Sequence, residues 1–152
     1  MVRGQLCMIA RSLPPLRWVT VASPAYLQAH GAPRTLEALA GHRCLSVYNH
    51  YRGFLVPWQF KAEGEPALDW EPPQSIHFDS GDPLIEASLA GLGVAQVMEF
   101  AVREHIVSGR LVPVLTQLEG RSRELSLVYP RTRHASPKIK ALTEILLARE
   151  QW

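Results

Sequence analysis

Short apolar runs alternate with turn-forming residues along the whole chain. Runs rich in branched and aromatic side chains predict strands. Ser or Asp followed by Pro predicts a helix start, because the side chain can cap the first turn and proline has no N–H to satisfy. The predicted strands are 6–13, 17–22, 43–48, 58–61, 67–70, 75–78, 94–98, 111–115 and 125–129, and the predicted helices start at Ser23, Thr35, Asp82, Phe100 and Ser136. This order predicts an α/β protein with a largely parallel sheet.

Proline and glycine refine several boundaries. Pro14-Pro15 is expected to end the first strand, and Pro113 makes 111–115 an edge strand because proline cannot donate to a neighbouring strand. The alternating runs 58–61 and 67–70 are predicted to pair antiparallel. In the last helix three apolar residues repeat on one face: Ile139, Leu142 and Leu146.

Residues 75–98 are predicted to form a β-α-β unit. A strand is followed by a helix of small residues, capped by Asp82 before Pro83, and then by a buried strand. Gly91 suits the left-handed conformation that often ends a helix. Strand ends in such units tend to line a ligand crevice, so the pattern favours binding over catalysis.

Composition narrows the class of protein. The chain of 152 residues is 47% hydrophobic, which is typical of one globular domain or one lobe with part of another. No run is long enough to span a membrane, and the N-terminus is a poor export signal. Cys7 and Cys44 are isolated, which indicates structural thiols in a reduced, cytoplasmic setting. The net charge is +2, and the bases concentrated after residue 121 indicate a solvated face more than a nucleic-acid contact.

Residues that could carry chemistry are scattered. The six histidines show no helical metal-site spacing and there is no Cys-x-x-Cys, so no metal site is predicted. Gly91-Leu92-Gly93 follows a helix, whereas dinucleotide sites place their glycines before one. Without a nucleophile elbow or phosphate loop, no cofactor and no enzymatic activity are expected.

Several strand-end and loop residues do have binding character. Arg52 could hold a carboxylate through two parallel hydrogen bonds. The amides that follow Asp79 would offer partial positive charge at the start of a helix. Each residue also has a structural explanation: a surface loop, a core ring, a helix cap or a core thioether. Their shared position at strand ends makes them the candidate binding residues: Tyr48, Asn49, Arg52, Phe78, Asp79 and Met98.

Five stretches, taken in order, resemble one family. These stretches are "RWVTVASPAYLQAHGAPRTLEALAGHRCL", "PWQF", "EASLAGLGVAQV", "SGRLVPVL" and "LSLVYPRTRHASPKIKALTEIL". Together they resemble the effector-binding domain of bacterial LysR-type transcriptional regulators, over about residues 6–147. The order and spacing of the five are specific, although each alone is weak.

The resemblance implies a two-lobed α/β fold like that of periplasmic binding proteins. An effector would bind between the lobes, with Phe78, Asp79 and Met98 near the rim. Residues 21–122 would form a complete second lobe, and residues 1–20 with 123–152 a partial first lobe. The strands crossing between lobes would place the hinge at Ala22, Ser23 and Arg123.

The family's winged helix-turn-helix is absent from this sequence. DNA binding is therefore expected only through that missing domain. The expected partners of this chain are a small-molecule effector and further copies of the chain. The effector is expected to be a carboxylate or an aromatic acid. A partial first lobe should also expose apolar surface, including one side of the last helix. No membrane partner is expected.

Two other classes stay open at this stage. A protein-interaction remnant without an effector is favoured by the partial lobe, and a compact monomer in size-exclusion chromatography would argue against it. A solute-binding protein of a transporter shares the architecture, but the poor export signal counts against it.

Overall fold

The computed structural model describes residues 8–62, 64, 66–118, 123–131 and 136–148. By its backbone contacts the chain divides into two compact units, residues 1–16 with 122–152 and residues 17–121. The first unit thus combines both ends of the sequence, and the second is one continuous segment. The lobe boundaries proposed from sequence, after residues 20 and 122, stay predictions.

Strands and helices alternate along the described residues. The strands are β1 (Met8–Leu16), β2 (Trp18–Ala22), β3 (Cys44–Asn49), β4 (Phe54–Leu55), β5 (Trp58–Phe60), β6 (Leu68–Trp70), β7 (Ser75–Phe78), β8 (Val94–Met98), β9 (Val112–Val114) and β10 (Arg123–Pro130). The helices are α1 (Pro24–His30), α2 (Leu36–Ala40), α3 (Gly81–Leu89), α4 (Glu99–Val107) and α5 (Pro137–Leu147), with a 3-10 turn at Thr116–Leu118. Each element predicted from the sequence has a counterpart here, and β4 is additional.

The main sheet of the second unit is mixed rather than largely parallel. Its order is β4-β3-β8-β2-β9, and β7 also pairs with β3. β3 runs parallel to β7 and β8, but β2 runs antiparallel to β8 and β9, and β4 antiparallel to β3. The prediction of a largely parallel sheet is wrong because strand direction depends on how each connection returns, which a hydrophobic pattern does not encode. As predicted, β9 lies at the edge of this path, and β5 pairs antiparallel with β6.

Two apolar cores cover the two faces of this sheet. On one face Ala22, Cys44 and Val94 pack with side chains from α1, α2 and β5: Tyr26, Leu39, Trp58 and Phe60. On the other face Val21, Leu45 and Ala95 pack with side chains from α3 and α4: Leu84, Ile85 and Val102. Neighbouring residues of one strand enter opposite cores, because successive side chains alternate across a sheet. Each fully buried large apolar side chain contributes about 1.5–3 kcal/mol.

Side-chain caps fix two of the predicted helix starts. The Ser23 Oγ accepts a hydrogen bond from Tyr26 N at 3.3 Å, and the Thr35 Oγ1 accepts one from Ala38 N at 3.2 Å. The sequence predicted Asp82 as the cap of α3, and this prediction is wrong. The cap position is Ser80, whose side chain makes no capping hydrogen bond, and Asp82 lies in the first turn. Pro83 is therefore third in the helix, where an N–H has no intrahelical partner anyway.

The glycines after α3 have different roles. Gly91 adopts φ +81°, the left-handed conformation expected after a helix. At Gly93 a Cβ would meet the carbonyl oxygen of Arg43 well inside van der Waals contact, and the Leu45 Cδ2 at 3.2 Å. Gly91 thus ends the helix, while Gly93 lets the chain enter β8 directly against β3.

The first unit pairs β1 with β10 antiparallel and carries α5. β1 continues through Pro14-Pro15 to Leu16, so the prediction that these prolines end the strand is wrong. A register shift between Leu13 and Leu16 accommodates them, which is a usual place for proline in a strand. On α5 the exposed large apolar residues are Leu142, Ile145 and Leu147. Of the three residues that the sequence placed on one face, Leu142 is exposed, whereas Ile139 and Leu146 are half-buried.

Candidate functional site

Three strands of the second unit end at one edge of the sheet. β3 is parallel to β7, with Val47 opposite Phe78, and parallel to β8, with Leu45 opposite Ala95. Parallel strands present their carboxyl ends on the same side, so the ends of β3, β7 and β8 share this edge. The candidate binding residues that the sequence indicated lie at the ends of these strands or shortly after them.

Aromatic and charged side chains meet on one face of this edge. The Nε2–H of His50 donates to the Oδ1 of Asp79 over 2.6 Å. The Tyr48 ring lies edge-on to His50, with centroids 4.8 Å apart, and nearly parallel to His77, at 6.4 Å and 17°. We refer to Tyr48, His50, His77 and Asp79 as the strand-edge cluster. It brings together two of the predicted residues, Tyr48 and Asp79.

The strand-edge cluster is open to solvent. The side chains of His50 and Asp79 are 63% and 83% exposed, so the hydrogen bond between them, which is an ion pair only when the imidazole is protonated, contributes at most about 1 kcal/mol. Its acceptor and donor atoms are therefore available to a ligand at little cost in stability. The ring of His77 is held separately, by a 2.8 Å contact between its Nε2 and the Ser75 Oγ.

Asn49 and Arg52 lie in the turn that leaves β3. The Oδ1 and the carbonyl oxygen of Asn49 both accept from Arg52 N, each at 3.2 Å, and the carbonyl also accepts from Gly53 N at 2.8 Å. Asn49 therefore shapes the turn. The guanidinium of Arg52 is exposed and makes no ion pair with a carboxylate in the described part of the chain.

Phe78 and Met98 lie apart from the strand-edge cluster. Phe78 is half-buried and packs against the core on the α3 side, which is the opposite face from Tyr48 and His77. Met98 ends β8, pairs with Trp18 and occupies the cap position of α4. The structure thus gives Phe78 a packing role and places Met98 at the junction of β8 and α4. Their part in ligand binding stays a prediction.

The sequence indicated His50 only as part of the polar loop after β3, and neither His50 nor His77 was among the six candidate binding residues. The period of a strand could have indicated them, since Ser46, Tyr48 and His50 alternate along β3, and Ser75, His77 and Asp79 alternate along β7. What the sequence lacked was the register between the two strands. That register decides which residues are neighbours.

The predicted hinge residues fall into two groups. Ala22 is buried opposite Val112, and Ser23 caps α1, so both lie well inside the second unit. Arg123 begins β10 opposite Leu16, so the two points at which the chain leaves the first unit are paired in one ladder. Hinge motion at these positions stays a prediction.

The cysteines and histidines of the described residues form no metal-binding group of three or more ligands. Cys44 is a free thiol sealed in the core, and burial raises its pKa to about 12. A thiol with so high a pKa is unreactive, which agrees with a structural role. Cys7 lies outside the described residues. No described helix has the length and apolar character needed to cross a membrane.

Similarity to known proteins identifies the family. Residues 7–151 match the LysR substrate binding domain, and the chain therefore belongs to this family, as the sequence resemblance indicated. It is 33% identical over 140 residues to the HTH-type transcriptional regulator YhjC of Escherichia coli, covering 91% of the chain and 46% of that protein. It is 32% identical over 142 residues to the regulator CrgA of Neisseria meningitidis, covering 91% of the chain and 45% of CrgA. These relatives are named as transcriptional regulators, not as enzymes.

Solved structures give the same fold. The CrgA regulatory domain has a TM-score of 0.72 at 25% identity, covering 97% of this chain and 71% of that one. The AphB regulatory domain of Vibrio vulnificus has a TM-score of 0.75 at 22% identity, covering 97% and 72%. The predicted fold class, the periplasmic-binding-protein-like α/β fold of LysR regulatory domains, is confirmed. The chain spans less than half the length of the regulators YhjC and CrgA.

Proposed function

We propose that this chain is the effector-sensing part of a LysR-type transcriptional regulator. The observation that carries this proposal is the family match over residues 7–151, together with relatives named as transcriptional regulators. Control of transcription is then exerted through a DNA-binding domain outside this sequence, in the cytoplasm and without catalysis. Further copies of the chain are part of the proposal, because an oligomer would carry the signal to DNA.

The effector-binding surface proposed here is the strand-edge cluster with the neighbouring turn. Tyr48, His50 and His77 supply ring faces and edges on which a planar ligand can stack. Arg52 supplies an exposed fork of donors suited to a carboxylate. Asp79 lies in the same place and would repel a second negative charge. These features support an aromatic monocarboxylate better than a dicarboxylate.

A ligand at this surface can act as a signal only by discriminating between conformations. It shifts the balance between two states of a regulator by no more than its difference in affinity for them. A ligand that contacts both β3 and β7 would have different affinities for the two states if the distance between these strands, or between the loops that follow them, differs between the states. Asn49 and its turn would then transmit the change along β3.

A thermal-shift experiment on the full chain tests the proposal. The probes are benzoate, salicylate and succinate, with Arg52→Gln and Tyr48→Ala as test variants and Arg110→Gln as a matched arginine control. At about a hundred times the dissociation constant a ligand stabilises by about 2.7 kcal/mol, which raises the Tm by about 5–10 °C. We expect the aromatic acids to stabilise the native chain and Arg110→Gln equally, and to stabilise Arg52→Gln by a clearly smaller amount.

The outcomes separate the parts of the proposal. Equal stabilisation of the native chain and Arg52→Gln would remove Arg52 from the site. Stabilisation by succinate but by neither aromatic acid would contradict the role of the rings. If a broad panel of metabolites stabilises nothing, effector sensing by this chain is contradicted.

A further inference from the structure

A second candidate site lies within the second unit, at the β2 and β9 side of the same sheet edge, and it shares no residue with the strand-edge cluster. It is a cavity of about 230 Å³ between the start of β2, the end of β9, α4 and the 3-10 turn. Its lining combines apolar side chains with charged and hydroxyl groups, and the residues used below are Arg17, Val19, Glu99, Ile106, Leu115 and Thr116. For comparison, an apolar cavity of about 150 Å³ holds benzene. This cavity therefore has room for a six-membered ring bearing one small polar group.

The backbone that closes the cavity is strained. Leu115 has φ +57°, a left-handed conformation that is unusual for any residue other than glycine. The carbonyl oxygen of Leu115 accepts from Leu118 N at 2.8 Å, so this conformation turns the chain from β9 into the 3-10 turn. Strained residues of this kind cluster at ligand-binding sites. Here the strain holds Leu115 and Thr116 at the wall of the cavity.

The charged residues allow an anionic ligand to enter by exchange. Glu99 lies 3.6 Å from Arg17 and 3.5 Å from Arg103, so one carboxylate is shared between two guanidinium groups. The amide of Glu99 also donates to the Arg17 carbonyl at 2.8 Å, which keeps the two residues together whatever their side chains do. If a ligand carboxylate took the place of Glu99 beside Arg17, Glu99 would keep its pairing with Arg103.

We propose that this cavity binds a small monocarboxylic acid, distinct from the effector held at the strand edge. The apolar body of the ligand lies against Val19, Ile106 and Leu115, and its carboxylate replaces Glu99 beside Arg17. The site is independent of the strand-edge cluster, because none of the lining residues belongs to that cluster or its turn.

Chemical-shift mapping by NMR on the full chain tests this proposal, with benzoate as the probe and benzamide as its neutral counterpart. Thr116→Trp fills the cavity from an exposed position, and Arg17→Gln removes the guanidinium. Arg52→Gln is the matched control at the strand edge. We expect benzoate at millimolar concentration to shift the amides of Thr20, Leu115 and Thr116. We expect its Kd to rise at least fivefold in Arg17→Gln, and binding to be lost in Thr116→Trp. In Arg52→Gln the Kd for these amides should stay within twofold.

Two results would overturn the cavity site. One is an unchanged benzoate affinity in a folded Thr116→Trp variant, and the other is a set of shifts confined to the amides around Tyr48 and Asp79. The second result would leave the proposed effector site standing, so the failures of the two proposals are distinguishable. Equal binding of benzamide and benzoate would contradict the carboxylate exchange at Arg17.

Discussion

Gly93 is the position at which the smallest side chain should be most damaging. Gly93→Ala places a Cβ against the carbonyl oxygen and carbon of Arg43, the carbon at 3.1 Å. That oxygen also accepts from Val94 N at 2.9 Å, in the hydrogen bond that joins the starts of β3 and β8. No rotation of a side chain can relieve this clash, because the obstructing atoms are backbone. One of the two strands has to move.

The expected cost follows from the nature of the obstacle. Overpacking typically costs about 1–3 kcal/mol, and a rigid obstacle puts Gly93→Ala at the upper end, about 3 kcal/mol. For a chain of this size that lowers the Tm by about 6–12 °C. Gly91→Ala has a contact of 3.4 Å with the Ser23 Oγ, but its φ of +81° should cost about 1–2 kcal/mol. Gly81 has ordinary φ and nothing within 4 Å, so Gly81→Ala should be neutral or slightly stabilising.

Urea unfolding of the three variants, followed by tryptophan fluorescence and by circular dichroism, measures this order. A background carrying Trp152→Phe confines the fluorescence to the second unit, which contains Trp18, Trp58 and Trp70. Coincident transitions by both methods would justify the two-state free energies. The reasoning is refuted if Gly93→Ala unfolds at the same urea concentration as Gly81→Ala, or if Gly91→Ala is the most destabilised of the three.

Three further predictions use other parts of the chain. The side chain of the buried Gln96 accepts from Gln59 N at 2.7 Å and donates to the Gln59 carbonyl oxygen at 2.9 Å. Gln96→Ala should therefore lower the free energy of unfolding in urea by about 2–3 kcal/mol, and Gln59→Ala, which keeps both backbone groups, by less than about 1 kcal/mol. Equal costs for the two variants would contradict this. Burial and the nearby His30 lower the pKa of His42 in the fold; the unfolded chain then binds more protons, so stability is complete above about pH 6.5 and falls below it. His42→Gln should flatten that acid limb in unfolding titrations, and an unchanged slope would exclude His42 as its source. Ile145 is 62% exposed on α5, so Ile145→Lys should reduce self-association in size-exclusion chromatography at high concentration; an elution volume equal to that of the native chain would contradict it.

Local signals in the sequence predicted most of the helix boundaries and the antiparallel β5–β6 pair. Ser23 before Pro24 and Thr35 before Leu36 are caps whose chemistry operates within four residues, so no tertiary information is needed. Asp82 was predicted as the cap of α3 because Pro83 follows it, but the helix begins one residue before Asp82 and Ser80 holds the cap position. Pro14-Pro15 was misread because a register shift in the β1–β10 pair, invisible in β1 alone, accommodates both rings.

The candidate site was only partly predictable, for a related reason. Tyr48 and Asp79 could be placed at one edge of the sheet because both were predicted at the ends of strands. The pairing of His50 with Asp79 depends on the register of β3 against β7. The separation of Phe78 onto the other face depends on which core each residue of β7 enters. Both are properties of contacts between strands that are about thirty residues apart in the sequence.

Because the thiol of Cys44 is buried, its rate of alkylation reports how often the second unit opens. With a pKa of about 12 and complete burial, the sulfur cannot react with an alkylating reagent at neutral pH until the sheet around it comes apart. In a Cys7→Ser background, the rate at which iodoacetamide alkylates Cys44 would measure the frequency of these openings without any denaturant. A ligand bound across β3 and its neighbouring strands would lower the rate of alkylation, whatever the chemical identity of the ligand.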